Sequence, residues 1–156
     1  MFAGGLMDFA GGVEREIQRY VDHSLQDDLA DIPGRYQSDP RSNFWVVEYS
    51  GPPAAVVGMV GVQPREREDE AELRRMSVSS TVRRQGIGRL LLETVESFCR
   101  EHGYRRIFLS TVDILQPALA MYRRSGYVTV KEERYGDRPN RPIVVHHLVK
   151  ELADTV

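Results

Sequence analysis

One stretch constrains the fold of this chain more than any other, the loop from Val82 to Gly88. The run Glu72–Val78 before it predicts a strand, and the run from Ile87 to His102 after it predicts a helix. Apolar residues in this helix recur at the spacing of one buried face. With the next predicted strand, Ile107–Thr111, these elements form a right-handed crossover between parallel strands.

The same loop has the composition of an anion-binding site. The first N–H groups of a helix lack internal partners and carry partial positive charge. Gly86 and Gly88 lack a Cβ, so a ligand can approach the backbone, and Arg83, Arg84 and Arg89 add positive charge without a nearby acid to pair them. We therefore expect a phosphate or pyrophosphate ligand. The alternative is a turn that binds nothing. The GxxxxGK[ST] pattern and the third glycine of the dinucleotide fingerprint are both absent.

The remaining pattern predicts one mixed α/β domain over residues 13–151, after a flexible segment at residues 1–12. Helical spacing begins at Val13, and a second short helix over Gln26–Ile32 is expected to end at Pro33-Gly34. Pro117 suits the first turn of a last helix that ends at Gly126. Two antiparallel hairpins flank the crossover, with strands at Phe44–Tyr49, Ala55–Val62, Tyr127–Tyr135 and Pro142–Val149, the last two joined by a turn at residues 136–140.

Composition excludes several classes of protein. The net charge of −2 gives no nucleic-acid footprint, and the single cysteine, Cys99, predicts a buried inert thiol rather than a disulfide or zinc site. No apolar run approaches the ~20 residues of a membrane helix, and the start lacks the basic region of a signal peptide. We therefore expect an intracellular, cytoplasmic protein. The charge run at residues 65–70 is expected to be a solvated loop.

Two motifs resemble the GNAT superfamily of N-acetyltransferases. Arg83-x-x-Gly86-x-Gly88 resembles its acyl-CoA pyrophosphate loop, and Ala118–Tyr127 looks like its A-x-x-L-Y-x-x-x-G-F signature. Further matches look like the camello-like branch, which includes cysteine-S-conjugate and aspartate N-acetyltransferases. They cover most of the chain, from about residue 20 to 149, in the segments Tyr20–Leu25, Asp28–Ile32, Asn43–Val46 and Leu73–Val78.

The resemblance implies a GNAT fold, with six or seven mostly antiparallel strands around the parallel crossover, and acetyl-CoA as co-substrate. It implies that the backbone at Met76 and Val78 pairs with the pantetheine arm as an added strand would, while their side chains pack in the core. The residues that it assigns to the pyrophosphate are Arg83, Arg84, Gln85, Gly86, Ile87, Gly88 and Arg89.

The resemblance also implies catalytic roles for two side chains. Glu72 matches the general-base position of histone-acetylating members, although it also extends a charged stretch of the sequence. Tyr122 matches the tyrosine beside the sulfur of CoA, where a phenol can donate to the departing thiolate. His146 and His147 compete with Glu72 as bases; they are adjacent on a strand and therefore point to opposite faces. Without a GxSxG motif or an exposed cysteine, direct attack of the amine in a ternary complex fits better than an acyl-enzyme.

The chain departs from the camello-like branch in two places. Its relatives carry a strand and a membrane segment before the region matching Tyr20, so this chain has either lost an anchor or is a soluble relative, and membrane association stays possible. Many relatives have an Asn where Leu115 stands, with Gln116 beside it. A six-stranded sheet with an open edge would allow a homodimer.

The acceptor is predicted to be a small amino-acid-type amine. Either Arg74 or Arg75 would pair its carboxylate, one pointing toward the cleft and the other away. The alternatives are a protein lysine or N-terminal amine as acceptor, a non-catalytic acyl-CoA-binding module, and an interaction domain that uses residues 65–70.

Overall fold

The computed structural model of the chain describes residues 13–82, 84–135 and 143–154. The predicted segment at residues 1–12, Arg83 and the predicted turn at residues 136–140 lie outside this part. The elements are α1 (Val13–Gln26), β1 (Asn43–Tyr49), β2 (Ala55–Pro64), β3 (Glu70–Val78), α2 (Ile87–Glu101), β4 (Arg106–Val112), α3 (Gln116–Arg124), β5 (Val128–Tyr135) and β6 (Ile143–Glu151).

The six strands form one sheet in the order β1-β2-β3-β4-β6-β5. β3 and β4 are parallel, whereas β1–β2, β2–β3, β4–β6 and β5–β6 are antiparallel. The predicted mixed sheet with a central parallel crossover is therefore confirmed. None of the described helices is long and apolar enough to cross a bilayer.

The hydrophobic core lies between the sheet and the helices α2 and α3. Its fully buried members include Val60 from β2, Val95 from α2, Ile107 from β4 and Leu148 from β6. Cys99 belongs to the same cluster, and burial raises the pKa of its thiol to about 12, as expected for an inert thiol. We call the side of the sheet that α2 and α3 cover the α2 face.

The opposite side of the sheet, the α1 face, is covered in part by α1 and by the chain between α1 and β1. A 3₁₀ turn at Asp28–Ala30 follows α1, and a single π-helical turn at Pro33–Gln37 packs Tyr36 against Gly61 of β2. The prediction that Pro33-Gly34 ends a helix is wrong, because Pro33 begins a turn. Proline suits the first turn of a helix, and the Asp31 side chain accepts a hydrogen bond from the N–H of Gly34 at 3.0 Å.

Candidate active site

A cleft opens between β3 and β4. Their pairing covers Glu70–Arg106, Ala71–Ile107 and Glu72–Phe108 and extends no further among the described residues. Beyond Glu72 the two strands separate, although β3 continues to Val78 and β4 to Val112. Backbone N–H and C=O groups in a sheet need partners. The walls of this β3–β4 cleft therefore offer unpaired strand edges to an extended ligand.

A bulge in β3 accompanies this separation. Gly61 pairs with Arg74 and Met59 with Ser77, so β3 contains one more residue than the facing part of β2. Arg75 lies in the bulge with a φ of 57°, a left-handed conformation that is uncommon for a residue other than glycine. An extra residue bends a strand and increases its twist. The bulge therefore accounts for the departure of β3 from β4.

The side chain of Arg75 is fixed by a buried network on the α1 face. Its Nη2 and Nε donate to Asp28 Oδ1 and Oδ2 at 2.6 and 2.9 Å, and its Nη1 donates to Ser24 Oγ at 2.7 Å. The side chains of Arg75 and Asp28 are only 8% and 2% exposed. Tyr36 also donates its hydroxyl hydrogen to Asp28. This bidentate geometry is the strongest form of ion pair.

The network shifts the pKa of both acids in it. Burial raises the pKa of Asp28, but hydrogen bonds from Arg75 and Tyr36 and the charge of Arg75 outweigh it and hold the pKa at about 2. Burial, together with the hydrogen bond to Asp28, raises the pKa of the Tyr36 phenol well above its usual value. Asp28 is thus a carboxylate and Tyr36 a neutral donor across the physiological range.

The bulge changes the predicted positions of Arg74 and Arg75 and the choice between them as partner of a substrate carboxylate. The two arginines do not alternate between faces. Arg74 Nη1 donates to Gln63 Oε1 at 2.9 Å, and Gln63 in turn donates to the carbonyl of Arg35 on the α1 face. Both arginines therefore lie on that face. Arg75 is committed to Asp28, so only Arg74 keeps the predicted role at a substrate carboxylate.

The N-terminus of α2 lies at the end of β3, after a 3₁₀ turn at Ser80–Val82. Gly86 is its N-cap with a φ of 76°, and no side chain caps the helix. The first backbone bond within the helix is from the N–H of Leu90 to the carbonyl of Gly86 at 2.9 Å. A Cβ at Gly86 would meet nothing within 4 Å. Free helix N–H groups that face open space suit a phosphate.

The two glycines of the loop differ in their surroundings. Gly86 supplies a left-handed φ and open space. Gly88 instead makes room for α3, because a Cβ there would lie 2.6 Å from Met121 Sδ and 3.8 Å from Val78 Cγ2. A side chain at Gly88 would therefore displace Met121. The contact joins α2, α3 and the end of β3 beside Tyr122.

The other predicted cofactor residues differ in their surroundings. Met76, Val78 and Ile87 pack against the core, as expected of their side chains. Arg84 (φ 65°) and Gln85 are exposed at the mouth of the loop. The prediction that no acid pairs the arginines is wrong for Arg89, whose Nε donates to Glu93 Oε1 at 2.9 Å. These two residues are one helical turn apart, at the spacing that allows such a pair.

The predicted acid and base lie on opposite faces of the sheet. Tyr122 is 5% exposed and belongs to the core on the α2 face, where burial raises the pKa of its phenol. Glu72 alternates with the buried Ala71 and Leu73 and therefore points to the α1 face. Its side chain is 42% exposed, with Oε2 at 3.8 Å from Nη1 of Arg65.

The two histidines also point to opposite faces, as the sequence predicts. His146 is buried on the α2 face with Leu148, whereas His147 lies on the α1 face and its side chain is 33% exposed. His147 therefore shares a face with Glu72, and His146 does not. Sequence reasoning missed Asp28 and Ser110, which interact with Arg75 and His147 across 47 and 37 residues of chain.

Solved structures of acetyltransferases share this α/β fold. An acetyltransferase from Elizabethkingia anophelis, solved with acetyl-CoA bound, superimposes with a TM-score of 0.60 at 17% identity, over 78% of this chain and 82% of that one. This likeness concerns the fold.

The chain belongs to the acetyltransferase (GNAT) family, whose model matches residues 12–127. It is 40% identical over 112 residues to human N-acetyltransferase 8, across 69% of this chain and 48% of that protein. It is 37% identical over 116 residues to N-acetylaspartate synthetase of Danio rerio, across 74% of this chain and 40% of that protein. The chain thus spans about half or less of the length of these curated relatives.

Proposed function

We propose that this chain is an acetyl-CoA-dependent N-acetyltransferase that transfers acetyl directly to a primary amine in a ternary complex. The observation that carries the proposal is the β3–β4 cleft in the centre of the sheet, together with the uncapped N-terminus of α2 beside the end of β3. An extended pantetheine arm fits the unpaired edges, and a pyrophosphate fits the open space at Gly86. The relatives, which include N-acetyltransferase 8 and N-acetylaspartate synthetase, support the same chemistry by their names.

In this proposal the residues of the loop, from Arg83 to Arg89, hold the pyrophosphate, and the backbone at Met76 and Val78 orients the thioester. The amine attacks the carbonyl carbon, the C–S bond breaks, and the sulfur leaves with the electron pair. Glu72 takes a proton from the attacking nitrogen on the α1 face. Glu72 on the α1 face and Tyr122 on the α2 face would approach a thioester held between β3 and β4 from opposite sides.

Tyr122 is proposed to donate to the departing sulfur. Because burial raises the pKa of its phenol, the hydroxyl stays protonated near neutral pH and is a weaker acid than a thiol. It therefore stabilises the thiolate by a hydrogen bond, and full proton loss from the phenol is unfavourable. Such stabilisation of developing charge is a large contribution in many enzymes.

The acceptor in this proposal is a small amino-acid-type amine. Arg74 lies two residues beyond Glu72 on the same face of β3, and it is half-buried with one guanidinium nitrogen bonded to Gln63. A cation and a carboxylate side by side suit a ligand that carries a carboxylate and an ammonium group. The name of one relative, N-acetylaspartate synthetase, is consistent with such an acceptor.

A free-thiol assay tests the proposed function. We expect wild-type protein to release CoA thiol only when both acetyl-CoA and an amine are present, with α-amino acids ahead of polyamines and lysine peptides. Calorimetry with acetyl-CoA accompanies the assay. Binding without thiol release by any amine would identify a non-catalytic acyl-CoA-binding module, and absence of binding would contradict the proposal as a whole.

Tyr122→Phe tests the role of the phenol. We expect kcat to fall by roughly a hundredfold while the KM for acetyl-CoA changes little, because only the hydroxyl is lost. Tyr127→Phe is the matched control. The two rings are in edge-to-face contact with centroids 5.9 Å apart, and the buried hydroxyl of Tyr127 has no hydrogen-bond partner among the described residues.

The control has an expected result of its own. Removing an unsatisfied buried hydroxyl relieves a desolvation cost, so Tyr127→Phe is expected to keep activity and to gain about 1 kcal/mol in free energy of unfolding. Steady-state kinetics and urea unfolding measure both effects. Equal loss of kcat in the two variants would show that the hydroxyl of Tyr122 has no specific role.

A further inference from the structure

A serine, a histidine and a glutamate form a series of side-chain contacts across β4, β6 and β5 on the α1 face. Ser110 and His147 are direct partners in the β4–β6 register, and Ser110 Oγ lies 2.8 Å from His147 Nδ1. On the other side of the ring, His147 Nε2 lies 3.3 Å from Glu133 Oε2. That buried nitrogen makes no aligned hydrogen bond among the described residues, so Glu133 is the group that meets it when the ring is protonated.

The carboxylate of Glu133, at the end of this series, has further partners on β5. Lys131 contacts Glu133, and Tyr135 donates a hydrogen bond to it. Contacts with Lys131, then Tyr135, then His147 lower the pKa of Glu133 to about 2. Glu133 is therefore charged at physiological pH and places a negative charge beside His147.

The series Glu133–His147–Ser110 ends at the β3–β4 cleft. Phe108 is the last residue of β4 that pairs with β3, and Ser110 is the next residue of β4 on the same face. Ser110 is exposed, whereas its neighbour Leu109 points into the core. Ser110 thus stands where the two strands have parted, on the face that also carries Glu72.

Acetylation of an ammonium group releases two protons from nitrogen. The first must leave before the nitrogen can attack, and the second leaves as the amide forms. One proton ends on the sulfur of CoA and the other in solvent. Glu72 is proposed to accept one of these two protons, so a second group on the α1 face can accept the other.

We propose that Ser110, His147 and Glu133 form a relay that removes the first proton from the acceptor ammonium. The inference rests on the proposed acetyltransferase function. An N–H bond of the ammonium breaks as its proton moves to Ser110 Oγ, and the hydroxyl proton of Ser110 moves to Nδ1 of His147. The resulting imidazolium is stabilised by the carboxylate of Glu133 and then loses its proton to solvent. Histidine suits this task because its ordinary pKa is near neutrality.

The same two strands, β5 and β6, offer a matched control. His146 and Glu132 repeat the same residue types one position earlier, with Nδ1 of His146 at 3.4 Å from Oε1 of Glu132. His146, however, is buried on the α2 face, away from Ser110 and Glu72. Glu132→Gln therefore removes a similar carboxylate–histidine contact from the same two strands without touching the relay.

The test compares His147→Gln, Ser110→Ala and Glu133→Gln with Glu132→Gln in the free-thiol assay. The acceptors are the amine that wild type uses best and a fluorinated analogue whose ammonium pKa lies below the assay pH. With the basic amine, His147→Gln and Ser110→Ala are expected to lower kcat/KM roughly a hundredfold. With the analogue, which arrives neutral, the loss should shrink to less than about threefold, and Ser110→Thr should restore the hydroxyl and the rate.

Several outcomes would overturn the relay. Equal losses with both amines would give these residues a structural role, and an equal loss in Glu132→Gln would show a general effect on the β5–β6 pair. Glu72→Gln is expected to lose activity with both amines, so an amine-dependent loss there would assign the first proton to Glu72. Wild-type thiol release with fully active relay variants would reject the relay and leave the acetyltransferase function intact. A wild type that releases no thiol with either amine would reject the relay together with the acetyltransferase function on which it rests.

Discussion

Replacement of Asp28 by asparagine is expected to lower the free energy of unfolding by about 3 kcal/mol, because it leaves the buried guanidinium of Arg75 without its counter-charge. Urea unfolding monitored by far-UV circular dichroism measures the loss. The variant is also expected to bind acetyl-CoA more weakly, since the pair holds the bulge that separates β3 from β4. Unchanged stability would show that the bulge does not depend on this pair.

The preceding residue provides the control. Asp27 pairs with Arg35 at 3.0 Å, but the two side chains are 42% and 56% exposed, and Asp27 makes no capping hydrogen bond to the turn that follows it. Exposed pairs contribute little, so Asp27→Asn is expected to cost less than about 1 kcal/mol. An equal loss in both variants would indicate a general demand for negative charge at this end of α1.

The lowered pKa of Asp28 gives the same pair a defined pH dependence. Its pKa is about 2 in the folded protein and about 3.9 in an unfolded chain. The contribution of the carboxylate is therefore complete above pH 5 and is lost as the pH falls toward 2, with a total of roughly 2 to 3 kcal/mol. Unfolding curves of wild type and Asp28→Asn at several pH values should converge across this window. A constant difference down to pH 3 would contradict the assignment.

Gly86→Glu is expected to weaken acetyl-CoA binding by at least a hundredfold, because it places a carboxylate at the uncapped N-terminus of α2. Titration calorimetry measures the effect, and added salt should reduce it. The space beside Gly86 is open, so the added side chain meets no protein atom at its Cβ. The loss is thus electrostatic in origin, apart from strain at the left-handed φ.

Gly86→Gln separates charge from strain. Glutamine has the shape of glutamate and suffers the same cost of about 1–2 kcal/mol at a φ of 76°. We expect it to bind acetyl-CoA at least tenfold more tightly than the glutamate variant. If both variants lose binding equally, shape and backbone strain explain the loss. If neither does, the phosphates lie elsewhere.

Local sequence patterns were sufficient to predict the strands, the crossover and the loop. Helical spacing, turn residues and the pair of glycines act within a few residues, and the structure has the corresponding elements where they were expected. The bulge also corresponds to a change in the apolar pattern of the sequence. Apolar residues that face the core fall at Ala71 and Leu73, which are buried, and then at Met76 and Val78, which are partly buried, so the alternation shifts by one residue between them.

Contacts over long distances in the sequence could not be predicted in this way. Nothing near Asp28 indicates that it pairs with Arg75, because the contact depends on where α1 docks on the sheet. Ser110 and His147 meet only through the β4–β6 register. The roles of the two glycines were also hidden, because the contact of Gly88 is with Met121 on another helix.

The contact between Gly88 and Met121 has a consequence for the history of the family. The thioether occupies the volume that a side chain at residue 88 would need, so the two positions share one space. A larger residue at 88 forces the Met121 side chain to move or favours a smaller residue at 121, and a smaller residue at 121 alone leaves a void. Among relatives with this packing, side-chain sizes at these two positions should therefore covary inversely, and substitutions should occur in pairs.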